Sequence, residues 1–156
     1  MTPLLAVDLG SRPAFAVVIG TERVPVLLEM RRFSAWRTEE ITEAIAEVME
    51  RRGIRLVYVE QTFSAGTKRK PWLRDVGRKQ EGQSGYLEGW LWGRGELRRV
   101  APCGEHDAFI AWNVFGMPAE ATGAAGEHLR DALAVGLKAL IAQGMEAKEK
   151  SVREAR

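Results

Sequence analysis

The chain has 156 residues, of which 46% are hydrophobic and 28% are charged. This composition is typical of a globular protein and excludes a disordered or collagen-like chain, and the length predicts one domain. No run of about 18 apolar residues occurs and no basic leader precedes Leu4, so we expect neither a membrane span nor a signal peptide. The single cysteine, Cys103, excludes an internal disulfide and favours a reducing cytoplasm.

The net charge of +2 is the sum of three unequal segments. Residues 64–100 carry nine basic and four acidic side chains, whereas residues 1–63 have a net charge of −1 and residues 101–156 a net charge of −2. A local basic excess of this kind predicts phosphate binding, although a solvated loop has the same composition. The basic residues concentrated in this segment are Lys68, Arg69, Lys70, Arg74, Arg78 and Lys79.

The first half of the chain predicts strands followed by a helix and another strand. Apolar runs separated by turn residues predict three antiparallel strands, at Leu4–Asp8, Ala14–Ile19 and Val24–Glu29. Thr38 as N-cap and Gly53 just beyond the C-terminus delimit an amphipathic helix. The β-branched run Ile54–Glu60 then predicts a strand that pairs in parallel, which makes the sheet mixed.

The second half predicts two longer helices. Asp75–Trp92 has helical spacing and carries Gly85, Gly89 and Gly93 on one face, which indicates close approach either to the sheet or to a second subunit. Leu97–Ala101 reads as the last strand, and a short helix or loop follows between Pro102 and Pro118. Glu127–Gln143 is the final amphipathic helix. The charged tail, residues 146–156, is expected to fray.

Acidic residues end two of the predicted strands. Asp8 and Glu60 each follow an apolar run, and neighbouring strands bring such ends together at one rim of the sheet. Two carboxylates so close repel each other unless a cation lies between them, and hard oxygen ligands suit Mg²⁺ or Mn²⁺. A strand-end turn residue is the alternative reading of either acid alone.

The last helix adds two more candidate ligands. His128 and Asp131 are three residues apart, so both project from one face at the start of that helix. Acidic groups from two strands and one helix, beside a basic loop, form the arrangement that two-metal phosphodiester hydrolysis requires. A solvated or capping histidine is the simpler reading of His128 by itself.

Three short motifs in this order resemble the RuvC-type Holliday-junction resolvases of the RNase H-like superfamily. They are Ala6–Arg12, Val57–Phe63 and Glu127–Ala134. The resemblance implies an α/β fold with three antiparallel strands followed by parallel ones, flanked by helices. It also implies one nuclease domain over residues 1–145 that acts as a homodimer on four-way DNA junctions, with two Mg²⁺ ions in each active site and Mn²⁺ as a substitute.

The resemblance also assigns roles to single residues. It makes Asp8, Glu60 and Asp131 catalytic metal ligands and makes His128 either a ligand or a general base. Phe63 resembles an aromatic side chain that stacks on bases near the junction centre. The chain departs from the family at Leu9, where proline is usual, and near Ala16, where a glycine is usual. It also departs at Glu120–Gly126, before the last helix, where many members have a lysine and this chain has none. The short length of the chain and these departures favour a phage source over a bacterial one.

Two other functions remain open at this point. A non-catalytic RNase H-like protein that binds nucleic acid would not need Asp8, Glu60 and Asp131 together. An actin-like sugar kinase would share the phosphate-loop pattern of residues 8–11, but 156 residues supply one of the two domains that such an enzyme needs.

Overall fold

The structure is a computed structural model that describes residues 2–62 and 71–155. In these ranges a mixed sheet is flanked by helices on both faces. The strands are β1 (Leu4–Asp8), β2 (Ala14–Ile19), β3 (Val26–Arg32), β4 (Leu56–Glu60) and β5 (Glu96–Val100). The helices are α1 (Thr38–Arg52), α2 (Pro71–Trp90), α3 (Glu105–Val114) and α4 (Glu127–Glu154).

The sheet has the order β3-β2-β1-β4-β5, with β1 at its centre. β1 is antiparallel to β2, and β2 to β3, whereas β4 runs parallel to both β1 and β5. The expected mixed sheet, three antiparallel strands followed by parallel ones, is therefore confirmed. Val7 pairs with Val59, so the two strands end side by side at Asp8 and Glu60.

Alternation along β1 divides the core into two layers. Leu4 and Ala6 pack in the cluster that contains α3 and α4, and Leu5 and Val7 pack in the cluster that contains α1 and the end of α2. Since side chains alternate between faces along a strand, the next residue, Asp8, points toward α4.

Small residues allow α4 to lie close to the sheet. A Cβ added to Gly136 would lie 3.1 Å from a methyl group of Val18 and 3.5 Å from the Cβ of Ala6. Ala132 and Ala139, on either side along the helix, are fully buried. This close contact holds the first turn of α4 beside the ends of β1 and β4.

The helix and strand limits correct several sequence expectations. Thr38 is the first residue of α1 rather than its N-cap, and its hydroxyl accepts a hydrogen bond from the Trp36 indole. Gly53 is the left-handed C-terminal residue, as predicted, with φ 65°. α2 begins earlier than expected, at Pro71, and α4 continues through most of the predicted tail to Glu154. Among the residues that the structure describes, no helix is long and apolar enough to span a membrane.

Candidate metal centre

Three potential metal ligands meet at the C-terminal end of β1. Asp8, His128 and Asp131 each offer one ligand atom, and these atoms all lie within 4.8 Å of one another. β1 supplies the first, and the first turn of α4 supplies the other two at the i, i+3 spacing. The structure thus brings together three of the four residues that the sequence singles out.

Asp8 is the most buried member of this group. Only 8% of the residue is exposed, and burial raises the pKa of its carboxyl to about 6. The hydrogen bond from His128 opposes this increase, whereas the nearby negative charges of Asp131 and Glu60 add to it. Asp8 is therefore a carboxylate that lacks sufficient positive charge around it, which favours cation binding.

His128 contacts Asp8 directly. Its Nδ1 atom lies 2.9 Å from Oδ2 of Asp8, and this hydrogen bond raises the pKa of the imidazole above its usual value. About a third of the His128 side chain remains exposed. Because Nδ1 faces the carboxylate, the second ring nitrogen, Nε2, is left for another partner.

Asp131 is half-buried beside the histidine. Burial raises the pKa of its carboxyl, while the His128 ring lowers it and Glu127 raises it further. Both acids of the group therefore have raised pKa values for the same physical reason, the loss of water around a negative charge.

Glu60 lies at the same rim but is not a member of the three-residue group. It lines a small cavity together with Asp8 and Leu9, and one of its oxygens accepts a hydrogen bond of 2.8 Å from the Cys103 backbone. Burial raises the pKa of Glu60, and the ammonium of Lys138 opposes the increase.

Lys138 is a positive group near the site that sequence reasoning did not identify. Its Nζ donates to the Pro102 carbonyl at 2.7 Å and lies 3.6 Å from Asp107 Oδ2. Its position in the sequence, seven residues after Asp131 on α4, places it two helical turns further along. The chain therefore has a lysine near Glu60, although it comes from α4 itself and not from the segment before it.

The predicted DNA-binding residues are only partly described by the structure. Arg78 and Lys79 are exposed in the first half of α2. The next residue, Gln80, contacts the loop after β1. Phe63, Lys68, Arg69 and Lys70 lie outside the described residues, as does the side chain of Arg74.

Two glutamines on α2 hold the loop that follows Asp8. The Gly10 amide donates to Gln83 Oε1 at 2.8 Å, and Gln83 Nε2 donates back to the Gly10 carbonyl at 3.0 Å. Gln80 Nε2 donates to the Leu9 carbonyl at 3.3 Å. Sequence reasoning missed both residues, because the only signal is a pair of glutamines three residues apart on a helix.

The glycines of α2 do not pack against the sheet. Gly82, Gly85 and Gly89 are exposed, and a Cβ added to any of them would meet nothing within 4 Å. Gly93, predicted to share this face, lies beyond the helix in a turn with φ 78°. The prediction that these glycines allow close approach to the sheet is therefore wrong, and the alternative, contact with a second subunit, stays a prediction. We call Gly82, Gly85 and Gly89 the glycine face.

No protein-family model and no curated protein matches the chain. Similar solved structures do exist, and among them is Thermus thermophilus RuvC in complex with a Holliday junction substrate. It is 20% identical with a TM-score of 0.64, over 92% of this chain and 96% of that one. A second T. thermophilus RuvC structure is 17% identical with a TM-score of 0.58, over 91% and 96% of the two chains. The fowlpox virus Holliday junction resolvase is 14% identical with a TM-score of 0.55, over 91% and 99%.

These similarities define the fold at two levels. The mixed five-stranded sheet flanked by helices is an RNase H-like fold. Within that class it is the fold of the RuvC-type Holliday junction resolvases, matched over nearly the full length of both chains.

Proposed function

We propose that this protein is a metal-dependent endodeoxyribonuclease that resolves four-way DNA junctions by paired, symmetric nicks. The observation that carries the proposal is the convergence of Asp8, His128 and Asp131 at the rim of a RuvC-type fold. The solved structures with this fold include resolvases in complex with Holliday junction DNA.

The residues at the rim fit a divalent cation. Two carboxylates with raised pKa values and one imidazole face a common point, and Glu60 lines the adjoining cavity. Oxygen ligands of this kind favour Mg²⁺ or Mn²⁺, and we expect two ions in each site. A bound metal would supply an activated water and would neutralise charge on the leaving oxygen.

The remaining roles fall to the protein's own groups. Asp8 and Asp131 would hold the metal between the sheet and α4, and Glu60 would hold it from β4. His128 either completes the ligand set or accepts a proton from the attacking water through Nε2. Both alternatives agree with the contact between Nδ1 and Asp8.

DNA binding is assigned to the basic segment that leads into α2. Arg78 and Lys79 are exposed on α2 directly before Gln80, which lines the cavity with Asp8 and Glu60. Lys68, Arg69, Lys70 and Arg74 precede them in sequence. Cations in this place would bind phosphates on the arms of the junction, and Phe63 would stack on an unpaired base.

A homodimer would provide the two cuts. A two-fold symmetric dimer presents two sites to a substrate with similar symmetry. The glycine face is exposed and is bordered by Tyr86, which is 48% exposed, and by Trp92 just beyond the helix, which is 88% exposed. Exposed aromatic side chains beside small residues are a suitable surface for helix-to-helix contact with a second copy.

A binding protein without catalytic activity is the alternative. It is disfavoured because burying Asp8 close to Asp131 costs folding free energy, and a protein that only binds DNA gains nothing from that cost. The sugar-kinase alternative is disfavoured because the solved structures that match nearly the whole chain include resolvases.

The decisive test compares a labelled four-way junction with a linear duplex of the same sequence. With Mg²⁺ the protein should cut the junction symmetrically and leave the duplex intact, and EDTA should abolish cutting. Asp8→Asn should still bind the junction but lower the cleavage rate by more than about 100-fold. Cleavage that survives Asp8→Asn, or that is unaffected by EDTA, would contradict the proposal.

A further inference from the structure

The loop after Asp8 is fixed by side chains of α2 rather than by β1 alone. Gln83 is only 6% exposed, and its carboxamide forms two hydrogen bonds with the peptide groups of Gly10, one as acceptor and one as donor. Gln80 adds a third bond, to the carbonyl of Leu9. The two residues that directly follow Asp8 are thus held by one turn of α2.

The same turn of α2 also reaches the loop after β4. Thr62 lies two residues beyond Glu60, and its hydroxyl donates to Glu81 Oε1 at 3.1 Å. Gln80 and Thr62 line the cavity that Asp8 and Glu60 share. One helical turn therefore contacts both chain segments that leave the sheet directly after an acidic site residue.

The backbone at Gly10 gives this contact its importance. Gly10 has φ 134°, a conformation that residues with side chains rarely adopt, so the chain turns sharply two residues after Asp8. Peptide groups that are partly buried need partners, and a carboxamide can accept from the N–H through its oxygen while it donates to the C=O through its nitrogen. Gln83 supplies both at once.

We propose that Gln83 is a positioning residue that fixes Asp8 for metal binding through its two hydrogen bonds to Gly10. This inference rests on the proposed metal-dependent function. Groups that orient a metal ligand typically change metal affinity by about 10- to 100-fold when they are removed. Leucine fills much of the same volume without either hydrogen bond, so Gln83→Leu removes the orientation and keeps the packing.

The experiment measures Mn²⁺ binding by calorimetry and electron paramagnetic resonance in the absence of DNA. Gln83→Leu should bind Mn²⁺ about tenfold more weakly than the unchanged protein. Ser84→Ala is the matched control. Ser84 is equally buried on the same helix and donates to Glu81 within it, so the variant should retain the original affinity. Circular dichroism establishes that each variant is folded.

A second variant covers the case in which Gln83→Leu does not fold. Gln83→Met keeps an unbranched side chain of similar length but forms neither hydrogen bond with Gly10, so it should also weaken Mn²⁺ binding by about tenfold. Unchanged affinity in a folded Gln83→Leu, or in a folded Gln83→Met where Gln83→Leu is unfolded, would overturn the inference. An equal loss in Ser84→Ala would also overturn it.

Asp8→Asn separates this inference from the proposed function. Mn²⁺ binding that is unaffected by Asp8→Asn would mean that the metal site itself is misplaced, and both proposals would fail. Binding that depends on Asp8 but not on Gln83 would overturn only the role of Gln83.

Discussion

Asp8 is buried at a cost to stability that the hydrogen bond from His128 offsets only in part. Its carboxyl group has lost most of its water, and Asp131 and Glu60 place further negative charge nearby. Removing that charge should therefore stabilise the metal-free protein, even though the residue is assigned a central chemical role. Such opposition between stability and activity is a common property of functional sites.

We accordingly expect Asp8→Asn to melt about 2–4 °C above the unchanged protein in EDTA, the shift that about 1 kcal/mol produces in a chain of this size. Added Mg²⁺ should raise the melting temperature of the unchanged protein and leave that of Asp8→Asn unaltered. Asp107→Asn is the control. Asp107 accepts a hydrogen bond from the Gly104 amide, which lowers the pKa of its carboxyl, so this variant should melt lower. A lower melting temperature for Asp8→Asn in EDTA would contradict the account.

The site residues that the sequence identifies are those placed by regular geometry. Asp8 and Glu60 end strands, and His128 and Asp131 have helical spacing, so simple rules bring them near one another. Gln83 and Lys138 follow no such rule. Their importance depends on which backbone groups lie opposite them in the folded chain, namely Gly10 and Pro102, and nothing local in the sequence specifies that.

At the level of elements, α2 has two different faces. Leu87, near the end of the helix, and Leu91, just beyond it, pack against the sheet. Gln80 and Gln83 hold the loop that follows Asp8, whereas the glycine face is exposed. The sequence predicted the helix and a close approach to its glycines, but it did not decide whether the sheet or a second subunit makes that approach. The direction in which α2 packs is decided by the burial of its leucines, a tertiary property.

A bulky charge on the glycine face should separate the proposed dimer without unfolding the subunit. Gly89→Arg meets no neighbouring atoms within the subunit, so its circular dichroism should be unchanged while sedimentation shifts from a dimer to a monomer of 17.4 kDa. Gly144→Arg, on α4, is the control because that glycine is also exposed with nothing within 4 Å. Its assembly should be unchanged. A dimer that persists in Gly89→Arg would place the interface elsewhere.

An ion-pair cluster joins β3 to α1. Glu29 accepts hydrogen bonds from Arg51 at 2.8 Å and from Arg52 at 2.6 Å. These hydrogen bonds lower the pKa of Glu29, and the one from Arg51 has the largest effect. A carboxyl whose pKa is lower in the folded state contributes stability above its ordinary value of 4.5 and loses that contribution as the pH falls through the lowered value.

Glu29→Gln should therefore lower the free energy of unfolding at pH 7 by at most about 1 kcal/mol, as expected for a solvent-screened cluster. The difference between the two proteins should shrink at acidic pH, once the pH has fallen through the lowered pKa and the carboxyl is protonated in both the folded and unfolded states. Urea denaturation at the two pH values measures this. Glu50→Gln, on the exposed side of α1, should show little effect at either pH. An equal loss at both pH values would contradict the assignment.

Over the whole molecule, positive and negative charge are concentrated in different segments of the chain. The near-neutral sum of +2 hides a basic segment of net +5 between two flanks that together carry −3 and contain every proposed metal ligand. Within the described residues, Arg78 and Lys79 are exposed on α2 just before Gln80, which contacts the loop after Asp8. The near-neutral total therefore does not argue against the proposed nucleic-acid partner.

The most direct measurement of the central claim uses a supercoiled plasmid that extrudes a cruciform, the four-way junction of an inverted repeat. If one dimer cuts both strands within a single encounter, Mg²⁺ should convert the plasmid to a linear product with ends at the inverted repeat. Neither EDTA nor Asp8→Asn should permit this conversion. Accumulation of nicked circles in place of linear DNA, or equal cutting of a plasmid without the repeat, would contradict a paired, junction-selective nuclease.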